Sequence, residues 1–180
     1  GQDVLRTVLT DSNSRAPKGI VYGLPGAGKT TFAATAPNCL IIDCENGAPY
    51  VQCARTPYLS SWAEIGEWLH ALVTQEHPYG VIAIDSIDWL LRRLEEQVAG
   101  VDSSPRGLSQ ILHRAHGGYG AGRQILRNYA YQFLLPTLDR LVNQGVAVLL
   151  LAHAVRTQVF TVDGVTLEKI APEIHSDLAP

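Results

Sequence analysis

The sequence predicts an α/β fold: a mainly parallel sheet with helices on both faces. Three observations carry this expectation. Four apolar runs, Gly19–Tyr22, Cys39–Asp43, Val81–Asp85 and Val146–Ala152, have the continuous character of strands buried on both faces. Stretches with apolar residues at helical spacing separate these runs, and that alternation calls for crossover helices between parallel strands. A glycine-rich turn, Gly23-Leu24-Pro25-Gly26-Ala27-Gly28-Lys29-Thr30, joins the first run to a helix-forming one.

Each element has its own local reason. Residues 1–17 are a polar lead-in to the first strand. Thr31–Ala36 favours helix and stops before Pro37, because the residue ahead of a proline resists the helical conformation. The second strand ends in a polar turn, Asp43-Cys44-Glu45-Asn46-Gly47. Ser61-Trp62-Ala63-Glu64 is a capping box, followed by Ile65, Trp68, Leu69, Leu72 and Val73 on one helical face. That helix ends near His77-Pro78-Tyr79-Gly80. Ser86–Ala99 is a helix with Ile87, Leu90, Leu91, Leu94 and Val98 on one face, stopped by Gly100. Residues 101–122 are irregular and rich in glycine. Arg123–Asn143 is one long helical region, with a kink or a fresh start expected at Pro136. After the fourth strand, Thr157–Val162 and Val165–Ile170 flank Asp163-Gly164, which predicts a β-hairpin.

The composition sets bounds. A chain of 180 residues suits one domain, here 1–180, and its hydrophobic and charged fractions, 46% and 17%, are ordinary for a globular protein. The net charge of −3 carries no global basic signature, so any nucleic-acid contact has to be local. No apolar run approaches the roughly 20 residues that a membrane span requires, and the start lacks the pattern of a signal peptide. Cys39, Cys44 and Cys53 fit no common zinc spacing, so reduced thiols of a cytoplasmic protein are expected. The histidines, including His113 and His116, read as solvated or hydrogen-bonded, and Trp62, Trp68 and Trp89 as core or rim.

The glycine-rich turn carries the first chemical inference. Between a strand and a helix, glycines let the backbone curl until successive N–H groups point at one anion. The helix start adds its own unpaired N–H groups. Gly23, Pro25, Gly26, Ala27, Gly28, Lys29, Thr30 and Thr31 would cradle a nucleotide triphosphate, with Lys29 on its β- and γ-phosphates and the Thr30 hydroxyl on Mg²⁺.

Three further residues sit at strand ends, where open α/β sheets gather their ligands. Asp85 closes the third run, in position either to hold Mg²⁺ or to cap the following helix. Glu45, just past the second strand, is either a water-positioning base or a solvated turn carboxylate. His153 ends the fourth strand, either sensing the γ-phosphate or simply finishing the strand.

With Gly23–Thr30, Glu45, Asp85-Ser86 and His153 in this order, the sequence resembles the RecA-like ATPases. More narrowly, it is similar to phage nucleotide-binding proteins of single-strand DNA annealing and recombination. The resemblance implies an ATPase using ATP and Mg²⁺, with Glu45 as catalytic base, His153 as sensor and the fourth strand between the first and third. It also implies homo-oligomers that complete the ATP site at subunit boundaries, with Arg123, Arg127 or Arg156 reaching across. The family's C-terminal strands are not seen in this sequence. Its DNA-binding loops correspond here to the stretch near 116–123, with Arg114, Tyr119 and Arg123 at or beside it, and to the hairpin 157–170, which follows Arg156 and holds Phe160 and Lys169. Arginines beside aromatics suit single-stranded DNA, yet glycine-rich loops and hairpins also occur for purely structural reasons.

Two other classes compete. One is a nucleotide-gated assembly module with little hydrolysis; the other is a small-molecule kinase, which would want an arginine-rich lid that the sequence lacks. The Asn-Lys-x-Asp signature of GTPases is also missing.

Overall fold

A computed structural model of the chain describes residues 15–47, 51–100, 121–160 and 166–172. The elements run in the order β1 (Lys18–Gly23), α1 (Lys29–Ala34), β2 (Cys39–Asp43), β3 (Ala54–Arg55), α2 (Trp62–Thr74), β4 (Val81–Asp85) and α3 (Ile87–Ala99). Then come α4 (Ala121–Tyr129), a π-helical turn (Ala130–Leu134), α5 (Leu135–Asn143), β5 (Ala147–Phe160) and β6 (Thr166–Pro172).

The sheet order is β1-β5-β4-β2-β3, all parallel, with β6 antiparallel to the far half of β5. The last long strand in sequence therefore lies between the first and the third long ones. Alternation along the strands splits the core in two. Leu40, Ile42, Ile82, Ile84, Val148 and Leu150 meet α2, α3, α4 and α5 on one face. Cys39, Ile41, Ala83 and Leu151 meet Ala33 of α1 on the other. Every residue of β2 is buried, which explains its unbroken apolar run.

The ends of α2 and α3 follow their caps. The Ser61 side chain accepts from Glu64 N at 3.3 Å, and a Glu64 carboxylate oxygen accepts from Ser61 N at 3.0 Å. Gly100 ends α3 with φ 69°, a left-handed conformation that favours glycine. Trp62 is buried, and Trp68 and Trp89 pack against the core from its margin.

Three expectations need correction. The first helix starts at Lys29 rather than Thr31, with Gly28 as its cap residue. The long region Arg123–Asn143, by contrast, is helical with a fresh start at Pro136, one of the two outcomes expected there. Pro136 has no N–H to give the carbonyl four residues back, so the preceding turn opens into the π form and α5 begins afresh. The first arm of the hairpin is no separate strand, because β5 runs unbroken from Ala147 to Phe160. The turn of that hairpin lies outside the described residues. The third correction is β3, two residues without a strand-like pattern, held parallel to β2 and extended by Thr56 N donating to Ile41 O at 2.9 Å.

Candidate functional site

Parallel pairing brings the carboxyl ends of the strands to one edge. Gly23 is in register with His153, and Asp43 with Asp85. A cleft of about 290 Å³ opens at this edge. Lys29, Thr30 and Thr31 of α1, Glu45, Asp85 and His153 all line it, as do Pro25, Gly26 and Gly28 of the loop.

The loop takes its shape from two glycines. Gly26 and Gly28 have φ of 78° and 85°, where a Cβ would be strained. Ala27 N donates to Leu24 O at 3.1 Å, so this amide closes the turn and does not face the cleft. Neither Gly23 nor Ala27 is among the residues that line the cleft. Lys29 Nζ donates to Gly23 O at 3.0 Å and to Leu24 O at 3.3 Å, which folds the ammonium back over the loop.

At the floor, Thr30 Oγ1 donates to Asp85 Oδ2 at 2.6 Å. Asp85 is buried, and that burial raises its carboxyl above the ordinary aspartate range; the Thr30 hydrogen bond and Lys29 pull the other way. A hydroxyl and a carboxylate, both hard oxygen donors, suit Mg²⁺, which keeps several waters and needs few protein ligands. Among the described residues no cluster of three or more His, Cys, Asp or Glu side chains forms a metal cage.

Glu45 rides on a turn built by Asp43. One Asp43 carboxylate oxygen accepts from Glu45 N at 3.2 Å and from Asn46 N at 2.7 Å, an aspartate turn that Asn46 completes at φ 63°. The Thr56 hydroxyl accepts from Asp43 N at 3.0 Å, and Cys44 N donates to Asp85 O at 2.7 Å, tying the turn to both neighbouring strands. Burial raises the Glu45 carboxyl above its usual range; His153 opposes this, and the nearby Asp85 and Asp88 carboxylates add to it.

His153 stands with Nε2 3.4 Å from Glu45 Oε1. Its Nδ1 lies 2.8 Å from Asp88 Oδ2, and its backbone N donates to Asp88 Oδ1 at 3.1 Å. Sequence reasoning passed over Asp88 and Thr56, and gave Asp43 a place in the turn but no role in the site. Asp88 reads as an ordinary acid in the first turn of a helix, where the dipole favours it. The available signal was its place three residues after Asp85, in the first turn of the helix that follows β4.

The arginines stand apart. None of Arg123, Arg127 and Arg156 lines the cleft. Arg123 is half-buried on α4, while Arg127 on the same helix and Arg156 on β5 are exposed. Lys169 lies on β6 in register with Thr157, and its side chain lies outside the described residues, as does that of Phe160. Arg114, Tyr119 and His116 fall in the undescribed stretch 101–120.

A parallel sheet with a glycine loop entering a helix, and an acid on the strand two places away across the sheet, is the fold of an α/β P-loop nucleoside triphosphatase. The chain belongs to the AAA domain family, whose model matches residues 15–180. This places it among the nucleotide-binding ATPases. No curated protein matches it at a significant level.

Proposed function

We propose that the protein binds ATP with Mg²⁺ in this cleft and hydrolyses it, and that it does so as a RecA-like ATPase acting on single-stranded DNA in phage-type recombination or annealing. The observation that carries the hydrolytic reading is the convergence of Lys29, Thr30, Glu45, Asp85 and His153 on one cleft. On ATP binding, Lys29 exchanges the Gly23 and Leu24 carbonyls for phosphate oxygens. Thr30 and Asp85 are the residues that would hold Mg²⁺, which supplies charge neutralisation on the phosphates. Glu45, its basicity raised by burial, accepts a proton from the attacking water. His153, beside it, would sense the γ-phosphate.

The DNA part of the proposal rests on the resemblance of Gly23–Thr30, Glu45, Asp85-Ser86 and His153 to that family, and on exposed Arg156, which follows His153 on β5. Arg123 and Lys169 are the other proposed contacts. Assembly of copies, with ATP at their boundary, is part of the same reading. The exposed side chains of Ile20 and Tyr22 on the edge strand β1, and of Phe32 on α1, supply apolar surface for it. A host cytoplasm is the compartment this role requires.

The test is ATP turnover measured with single-stranded DNA, with double-stranded DNA, with neither, and without Mg²⁺. Turnover that needs Mg²⁺ and rises with single strands is the expected result. Turnover indifferent to DNA would remove the recombination role. ATP binding without turnover in any condition would favour a nucleotide-gated assembly module.

A further inference from the structure

We infer that Asp88 is a positioning residue of this site, which fixes the His153 ring so that Nε2 faces Glu45 as a hydrogen-bond acceptor; the inference rests on the hydrolytic reading above.

Asp88 sits in the first turn of α3, where an acid ordinarily serves its own helix. Here both carboxylate oxygens go elsewhere. Oδ1 accepts the backbone N–H of His153, and Oδ2 lies 2.8 Å from its Nδ1. The two bonds hold one residue at its main chain and at its ring, so the imidazole is fixed in place and in rotation. A carboxylate has no proton to give, so the ring nitrogen facing it carries the hydrogen. In the neutral ring this leaves a lone pair on Nε2.

That lone pair meets Glu45 Oε1 at 3.4 Å, longer than an ordinary hydrogen bond to nitrogen. Two acceptors face each other across this gap, in the lining of the cleft. A donor seated to one side of the pair, such as a water within hydrogen-bond distance of both atoms, can give one hydrogen to Glu45 and the other to His153. With the opposite tautomer, Nε2–H would donate to Glu45 and occupy the oxygen that must accept the proton. Asp88 thus keeps His153 from donating to the base, without lining the cleft itself.

Asp88→Asn separates this role from a merely structural one. The amide oxygen of the substituted side chain can still accept from His153 N, preserving the link between α3 and β5. Its NH₂ group would donate to Nδ1 and turn the ring to the Nε2–H tautomer. Three measurements decide the matter. The first is ¹⁵N NMR of the histidine rings at about pH 8.5, above the ordinary histidine range, with the signal of His153 identified by its loss in His153→Gln. Wild type should give the Nδ1–H form and Asp88→Asn the Nε2–H form. An Nε2–H ring in the wild type would overturn the inference without any variant having to fold.

The second is kinetic: Asp88→Asn should lower kcat about 10–100-fold, the range for losing the partner that orients a functional histidine. Its ATP dissociation constant should stay within about twofold of wild type, and an unchanged kcat would overturn the inference. The third is coupling: in the His153→Gln background, Asp88→Asn should cost little more. Full additivity would mean that Asp88 acts by some other route. If the wild type turns over no ATP at all, the hydrolytic reading falls, and the NMR result alone then decides whether Asp88 sets the ring.

Discussion

Lys29 holds two loop carbonyls, Thr30 holds Asp85, and His153 stands beside a part-buried Glu45. Such an arrangement has a cost at Glu45. Its carboxyl is raised by burial, so the folded chain binds this proton more tightly than the unfolded chain does. Folding stability from this group is therefore greatest below the unfolded carboxyl range and is lost as pH rises through the folded value. At about pH 7.5 the charged form is a net burden, which Glu45→Gln removes. That variant should bind ATP as wild type does, lose most turnover, and melt at the same or a higher temperature. Any advantage in melting should shrink toward about pH 4.5, as the wild-type carboxyl takes up its proton. A lower melting temperature at neutral pH would mean that Glu45 contributes to folding rather than burdening it. At this scale, residues in a motif with a fixed chemical purpose were legible in the sequence: Lys29, Thr30, Asp85. Asp88 and Asp43 were not, because their partners, His153 and the amides of Glu45 and Asn46, are set by a helix start meeting a strand and by the geometry of one turn.

The elements were read most readily where the pattern was strong. The unbroken apolar runs of β2 and β4 are buried over nearly their whole length, and the capping box at Ser61 starts α2 where the motif predicts. Neighbouring structure decided the rest. Two residues of β3 become a strand only because β2 offers its edge, and β5 continues past His153 because β6 folds back onto it. Neither fact is written in local periodicity. The helical face of α2 gives a direct test of the larger core cluster. Leu69 is fully buried there, away from the residues lining the cleft. Leu69→Ala should cost about 2–5 kcal/mol of unfolding free energy in a denaturant titration, with ATP affinity unchanged. A loss well below about 1 kcal/mol would mean that the space collapses freely and that α2 is not held by this contact.

For the whole molecule, the sheet order explains why one cleft exists at all. With β5 between β1 and β4, the loop after β1, the acid of β4 and the histidine of β5 end side by side, and Asp43 with its turn closes the fourth side from β2. The two faces are unequally covered in the described residues: four helices pack on one core cluster and α1 on the other. No helix among the described residues is long and apolar enough to cross a membrane. The central claim is that this cleft takes a magnesium nucleotide through Lys29. Calorimetric titration of Mg²⁺–ATP into wild type and Lys29→Ala tests it most directly: wild type should bind at one site per chain and Lys29→Ala should lose that binding. Equal affinity in the two proteins would contradict the account.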